Sequence, residues 1–265
     1  MDLELKGKSV VVTGGASHIG RAIVFGFAEE GANITIGDID EVQARKTAEL
    51  ALAKGAAGVQ VVKTDVTNLD QVKAMFDAAV KKFGTVDNLV NNVGWDDIKF
   101  FTRTTPEVWQ KIIQINYVGL INCTSVALGI MIPKKRGAIV AISSDASRQG
   151  EPREAVYGGA KAAVNSFMKS IARENGRDAI RCNVVCPGVT VPEEDAELGD
   201  NSGWKKDLME AFSSEQLEKV ARTLPLRKVG RARDIANAVL FLSSGRAGHV
   251  TGQILSVSGG YSMIG

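Results

Sequence analysis

Ser9-Val10-Val11-Val12-Thr13-Gly14-Gly15-Ala16-Ser17-His18-Ile19-Gly20 is the stretch that decides the fold. Its first five residues form a β-branched run suited to a buried strand, and Gly14-Gly15 stop that run. Beyond Gly20 the pattern turns helical, with Ile23, Val24, Phe27 and Ala28 on one stripe. Glycines between a strand and a helix let the backbone approach a pyrophosphate. The helix N-terminus adds unpaired N–H groups and the positive end of a dipole. Gly14, Ser17, His18, Ile19 and Gly20 are the candidate residues of this turn. Asp38 lies 24 residues after Gly14, at the end of the next apolar run, Asn33 to Gly37. It can accept hydrogen bonds from adenosine ribose hydroxyls, as an acidic residue at that spacing does in a dinucleotide site. Its charge opposes a 2′-phosphate, and the following Ile39 offers no cation to receive one. NAD, rather than NADP, is the expected cofactor.

Outward from this unit the same alternation continues. Residues 59–63, 86–91, 138–143, 180–186 and 253–257 read as strands; 41–54, 69–83, 106–131, 156–175 and 233–242 read as helices. Strands alternating with helices mean βαβ units and a mostly parallel sheet covered on both faces, where ligands sit at the carboxyl ends of the strands. Gly14, Asp38, Asp65, Asn91, Ser144 and Pro187 all fall at such ends, which marks them as one site. Asp65-Val66 is placed to contact an adenine amino group or to cap the following helix near Thr67. Residues 189–223 break the rhythm. With Trp204, Leu208, Met209, Phe212 and Leu217 at helical spacing, they read as a flap over the strand ends. The whole of 1–265 reads as a single domain.

Ser144 to Lys161 carries the chemistry. Tyr157 and Lys161 are four residues apart at the head of an alanine- and valine-rich segment, so a helix puts them on one face, about 6 Å apart along its axis. Free tyrosine titrates near ~10 and is a poor base at neutral pH. Lowering that by ~3 units takes about 4 kcal/mol, roughly what one adjacent ammonium supplies at an effective dielectric near 20. The pair is therefore able to serve as a general acid/base for a hydroxyl or carbonyl. Ser144, thirteen residues earlier, can hydrogen-bond the same substrate oxygen.

The 32 basic and 30 acidic residues leave a net charge of +2, with no electrostatic footprint for nucleic acid or an anionic membrane. Cys123, Cys182 and Cys186 are odd in number, lack metal-ligand spacing and sit among apolar residues, as expected of buried thiols in a reducing compartment. No metal is expected. The apolar stretch 115–132 is interrupted by Asn116, Asn122, Thr124 and Ser125 and reads as a buried amphipathic helix rather than a membrane span. Residues 1–8 show no apolar signal core, so a cytoplasmic location is expected.

Taken together, the glycine turn, Asp38, Asp65, Asn91-Asn92-Val93-Gly94, Asn116, Ser144, Tyr157-x-x-x-Lys161 and Pro187-Gly188 resemble the short-chain dehydrogenase/reductase family over almost the whole chain. The resemblance implies an oxidoreductase built on a seven-stranded, doubly wound Rossmann sheet, usually a homotetramer. It implies that Tyr157 is the acid/base, that Lys161 lowers its pKa and holds the nicotinamide ribose, and that Ser144 stabilises the substrate oxygen. Asn116 would hold a water in the proton relay, Asn92 and Gly94 would line the cofactor, and Pro187-Gly188 would meet the nicotinamide. Three positions depart from the family pattern. His18 replaces a glycine of the turn, Val93 replaces an alanine, and Pro192 stands where a threonine commonly reaches the carboxamide, a contact that Thr190 can take over.

Within the family, the stretches 91–96, 144–148, 154–157, 183–188 and 255–260 resemble 2-hydroxycyclohexanecarbonyl-coenzyme A dehydrogenases, with cyclohexanol and 1-(hydroxyphenyl)ethanol dehydrogenases fitting about as well. That implies reversible oxidation of a secondary alcohol on or next to a ring, in anaerobic aromatic or alicyclic degradation. A 3-oxoacyl-thioester reductase and a non-catalytic NAD(H) sensor are the rivals. Trp95 reads either as a wall for the substrate ring or as a core tryptophan. Asp145, with Arg148 or Arg153, reads either as a contact for polar substrate groups or as part of an internal ion pair. Lys205, Lys206, Arg222, Arg227 and Lys228 read as a solvated basic face or a contact for coenzyme A phosphates.

Overall fold

The computed structural model describes residues 2–192, 198–200, 202 and 213–264. Nine strands are described: β1 (Ser9–Thr13), β2 (Asn33–Asp38), β3 (Gly58–Lys63), β4 (Asn88–Asn91), β5 (Gly137–Ile142), β6 (Ile180–Pro187), β7 (Thr190–Val191), β8 (Gly230–Arg231) and β9 (Ile254–Val257). The described α-helices are α1 (His18–Glu29), α2 (Glu41–Ala53), α3 (Leu69–Phe83), α4 (Pro106–Ile113), α5 (Gly119–Met131), α6 (Ala146–Gln149), α7 (Ala155–Asn175), α8 (Ser214–Thr223) and α9 (Ala232–Ser243). Seven strands form one sheet in the order β3-β2-β1-β4-β5-β6-β9, every pair parallel, and β7 pairs with β8 apart from it. This is the parallel sheet the alternation predicts and the single-domain, seven-stranded Rossmann architecture the resemblance implies. The order reverses between β1 and β4, where neighbouring strands send their helices to opposite faces and open a crevice for a ligand.

Side-chain alternation along the strands splits the core in two. Val10 and Val12 of β1 face a cluster with Ile23, Val24 and Phe27 of α1 and Ile235 and Val239 of α9. Val11 faces the other side, with Met75 and Phe76 of α3, Cys123 of α5 and Val164 of α7. The cysteines are free and buried, as expected.

One predicted element differs. The helix read across 106–131 is interrupted after α4 by a π-turn, Gln114–Val118, in which the Gly119 N–H bonds to the Gln114 carbonyl five residues back. The helical run from Pro106 to Lys134 is long and apolar enough to cross a membrane by length and composition. Its Leu120, Cys123, Ala127 and Met131 are nonetheless buried against the sheet. Of the flap, Leu217 lies on α8, while Trp204, Leu208, Met209 and Phe212, with Lys205 and Lys206, lie outside the described residues.

Candidate active site

The crevice begins at the turn after β1. Gly14 has φ 64°, and a Cβ at Gly20 would come within 1.9 Å of the Gly14 carbonyl oxygen, so the turn closes this tightly only with glycine. Asn92 Nδ2, at the end of β4, donates to the Gly14 carbonyl at 2.9 Å and to that of Thr13 at 3.2 Å. Asp38 Oδ2 accepts from Ala16 N and Oδ1 from Asp40 N, both at 2.9 Å. Burial pushes the Asp38 carboxyl up, and these N–H donors pull it back. Ser17 is the N-cap of α1, whose first turn holds no acidic residue, leaving its N–H groups to an anion. Ser17 Oγ accepts from Gly199 N at 2.8 Å, which leaves the hydroxyl hydrogen to donate. Ile39 is 54% exposed beside Asp38. These residues fit a dinucleotide.

His18 takes the left-handed option, with φ 46°, and is buried, 8% exposed. Burial lowers its pKa from 6.5 to about 4, against a backbone hydrogen bond with Val191 that raises it. Unfolding frees the imidazole to bind a proton below pH 6.5, so its stabilising contribution is complete above that pH and is lost as pH falls toward 4. A gap of this size corresponds to about 3 kcal/mol. Asp96 and Glu154 act with the opposite sign, because their folded values are raised, to about 6 and about 7. Comparing the wild type with His18→Asn, which tolerates the same backbone, isolates the imidazole. Denaturant unfolding at steps from pH 7 to 4 should show the wild type losing about 3 kcal/mol relative to the variant; parallel curves would show an ordinary histidine.

Asp65 lies just past β3, exposed. Its Oδ1 accepts from Thr67 N at 2.9 Å and Thr67 Oγ1 at 2.7 Å, while Asn68 caps α3. Asp65 thus closes the turn at Thr67 and does not itself cap α3. Val66 is buried under α5, and its carbonyl accepts from Asn122 Nδ2 at 3.0 Å.

Around the nicotinamide end, four side chains come together. Tyr157 and Lys161 lie on the first turns of α7, with the Lys161 Nζ 5.6 Å from the Tyr157 ring centroid. Ser144, in the turn after β5, faces the Tyr157 hydroxyl and pulls its pKa down. Asn116 comes from the π-turn and is 1% exposed. A Cβ at Gly94 would lie 3.2 Å from Asn116 Oδ1 and 3.4 Å from Lys161 Nζ, so this glycine marks where the two converge. Asn116 Nδ2 donates to the Ile112 carbonyl at 2.9 Å and the Trp95 carbonyl at 2.6 Å, and its Oδ1 accepts from Trp95 N at 3.3 Å. Its amide thus also pins the loop after β4. Pro187 ends β6, and Gly188 N donates to the Val257 carbonyl at 3.2 Å. Thr190 is buried, with its hydroxyl donating to the Gly188 carbonyl at 3.1 Å.

The phenol is shifted against the expected direction in this structure. Burial pushes Tyr157 above its ordinary range, the Glu154 and Asp96 carboxylates push the same way, and Ser144 pulls it down. Lys161 is 2% exposed and lowered to about 8 by burial, and its Nζ donates to the Ile142 carbonyl at 2.9 Å. Desolvation is the largest cause of the upward shift of Tyr157.

The expected substrate contacts are also rearranged. Trp95 is half-buried and stacks under the Lys111 ammonium, 3.8 Å from its ring centroid. Asp145 is 1% exposed and accepts from Ser256 Oγ at 2.8 Å, turned into the protein rather than toward a substrate. Arg153 donates to the Ile98 carbonyl at 3.0 Å. A small cleft next to the start of α7 is lined by Asp96, Phe101, Thr104, Ile112, Glu154 and Val156, among others. Sequence reasoning missed Asp96 and Glu154 as groups acting on Tyr157. For Glu154 the signal was available: it precedes Tyr157 by three residues at a helix start.

Comparison with known proteins adds to this geometry. A family model described as enoyl-(acyl carrier protein) reductase matches residues 14–262. A 3alpha-hydroxysteroid dehydrogenase of Mediterraneibacter gnavus is 37% identical over 260 residues, 98% of each chain. A 3-oxoacyl-[acyl-carrier-protein] reductase FabG of Staphylococcus aureus is 35% identical over 257 residues, 97% of this chain and 98% of its own. The FabG of Chlamydia muridarum is 35% identical over 260 residues, 98% of this chain and 99% of its own.

Proposed function

The chain belongs to the short-chain dehydrogenase/reductase family, and from that premise we propose that it is an NAD-dependent dehydrogenase of a secondary alcohol on or next to a ring. The observation that carries the reading is the meeting of the Ser144 and Tyr157 hydroxyls beside Lys161, at the carboxyl edge of the sheet. The relative named for a hydroxysteroid, a ring alcohol, supports the substrate class. Substrates of the 2-hydroxycyclohexanecarbonyl-coenzyme A, cyclohexanol and 1-arylethanol types, in anaerobic aromatic or alicyclic degradation, are the finer reading.

The turn from Gly14 to Gly20 would take the pyrophosphate and Asp38 the adenosine ribose. Asn92, Gly94 and Lys161 would hold the nicotinamide ribose side, and Pro187, Gly188 and Thr190 the ring. When bound, NAD supplies the hydride acceptor and a positive charge. As the phenolate, Tyr157 takes the proton of the substrate hydroxyl during oxidation; as the phenol it gives that proton back during reduction. Ser144 donates a hydrogen bond to the same substrate oxygen and so fixes its position relative to the phenol. The Lys161 ammonium, anchored on the Ile142 carbonyl, adds positive charge beneath both. A homotetramer in the cytoplasm accompanies the reading, and Leu255, Met263 and Ile264, left exposed near the end of the chain, support an assembly.

A reductase of 3-oxoacyl thioesters is the second reading, favoured by the FabG relatives and by a phenol held protonated, ready to donate. Both are tested by NADH production from cyclohexanol, hydroxycyclohexane thioesters and 1-arylethanols, set beside acetoacetyl-thioester reduction. We expect the highest kcat/KM, by at least about tenfold, on a cyclic or aryl alcohol, a gap of about 1.4 kcal/mol. Faster turnover of the acetoacetyl thioester would select the second reading.

A further inference from the structure

Behind Ser144 lies a polar cluster that the proposed mechanism does not use. Asp145 N donates to the Pro187 carbonyl at 3.0 Å, and Asp145 Oδ2 accepts from Ser256 Oγ at 2.8 Å. Ser256 Oγ lies 2.8 Å from Ser258 Oγ, which accepts from Ser262 N at 3.4 Å. Ser144 is held on the same turn, where its Oγ accepts from Ala146 N at 3.2 Å and its carbonyl accepts from Ser147 Oγ at 2.5 Å. One residue thus joins the carboxyl ends of β5, β6 and β9.

The choice of an acid here calls for an explanation. Asp145 is buried, its Oδ1 has no hydrogen-bond partner among the described residues, and the groups bonded to the carboxyl there are hydroxyls. Arg148 and Cys186 are the charged and titratable groups facing it. Burial pushes the carboxyl up. A sequestered acid without a bonded cation costs stability, so an apolar residue would make a firmer core. What an apolar residue cannot do is accept from Ser256.

We propose that Asp145 is a positioning residue, which through Ser256 holds the Ser144 turn and the Pro187-Gly188 wall in one register. The inference rests on the dehydrogenase reading and deepens it. Ser144 stands on β5 and the nicotinamide wall on β6, so the substrate oxygen and the hydride acceptor are aligned only if the two strand ends keep their spacing. A misplacement of about 1 Å can cost about 100-fold in rate without loss of binding.

The test uses Asp145→Ala, Asp145→Asn and Ser256→Ala in the full chain. Asp145→Ala should lower kcat at least about tenfold, with KM for the alcohol and Kd for NADH within about threefold. Asp145→Asn, which keeps a carbonyl oxygen for Ser256, should recover most of kcat. The double variant Asp145→Ala/Ser256→Ala should be no worse than Asp145→Ala alone. Wild-type kcat in Asp145→Ala, or single losses that multiply in the double variant, would overturn the proposal. So would an asparagine variant as slow as the alanine one, which would mean that charge rather than position matters. If Asp145→Ala does not fold, Ser256→Ala carries the test, and its kcat must fall selectively. Amide hydrogen exchange gives a second readout: residues 143–149 and 254–262 should both exchange faster in Asp145→Ala, and unchanged exchange would refute the clamp. A wild type inactive on every alcohol and thioester tried would instead sink the dehydrogenase reading, with exchange still judging the clamp.

Discussion

Replacing Tyr157 by phenylalanine is expected to lower kcat at least about a thousandfold, within the range a positioned acid/base contributes, while Kd for NADH moves less than about threefold. The substitution removes one oxygen and keeps the ring, so packing at the head of α7 is retained. What disappears is the hydroxyl that faces Ser144 and that, in the proposed mechanism, exchanges a proton with the substrate. The wild-type pH profile carries a further mark of this assignment. Because burial, Glu154 and Asp96 all hold the phenol above its ordinary range, oxidation should speed up as pH rises, whereas reduction, which needs the proton in place, should not. Stopped-flow measurement of NADH formation and NADH fluorescence titration check both parts. Turnover within tenfold of wild type in the phenylalanine variant would remove Tyr157 from the chemistry.

The second large effect concerns the cofactor. The wild type should prefer NADH to NADPH by at least about 100-fold in kcat/KM. Each pair of unit charges 4 Å apart near a protein surface is worth about 4 kcal/mol before salt screens it, and a 2′-phosphate would face Asp38. Asp38 is fixed there by Ala16 N and Asp40 N, so it cannot swing aside without leaving two donors unpaired. Serine at 38 keeps an acceptor oxygen and removes the charge, and arginine at the exposed position 39 supplies a phosphate partner. Asp38→Ser/Ile39→Arg should therefore shift the ratio by at least about 1,000-fold toward NADPH. Steady-state rates with both cofactors decide it; equal use of the two by the wild type would end the NAD assignment.

Much of this molecule could be read from its residues, for identifiable reasons. Val10 to Val12 must be a strand buried on both faces, since no helix stripe fits three successive valines ahead of two glycines. The spacing from Gly14 to Asp38 follows from one helix and one strand, so the cofactor end was legible as geometry. The π-turn was not: one extra residue in a helix barely disturbs an apolar stripe. The state of Lys161 was not legible either, because its four-residue spacing from Tyr157 says nothing of the Ile142 carbonyl that receives its ammonium. Asp96 lies 61 residues before Tyr157, and only the fold brings the two within electrostatic reach. Asp145 follows Ser144 in the chain, yet adjacent residues on a tight turn face opposite ways, and only the neighbouring β9 shows which one faces inward.

The wide turn at Gln114–Val118 has a consequence for how this chain compares with others. A π-turn is an ordinary helix that has absorbed one additional residue, and such turns recur at functional sites. A protein lacking that residue would align with a gap of one between Ile112 and Gly119, and its helix would wind without interruption. The segments on either side would then be turned by about 100° relative to one another, carrying the asparagine amide off the Trp95 carbonyl it meets here. Counting residues across this interval is thus a quick way to sort sequences into those able to aim Asn116 at the Trp95 backbone as here and those that must brace that loop differently.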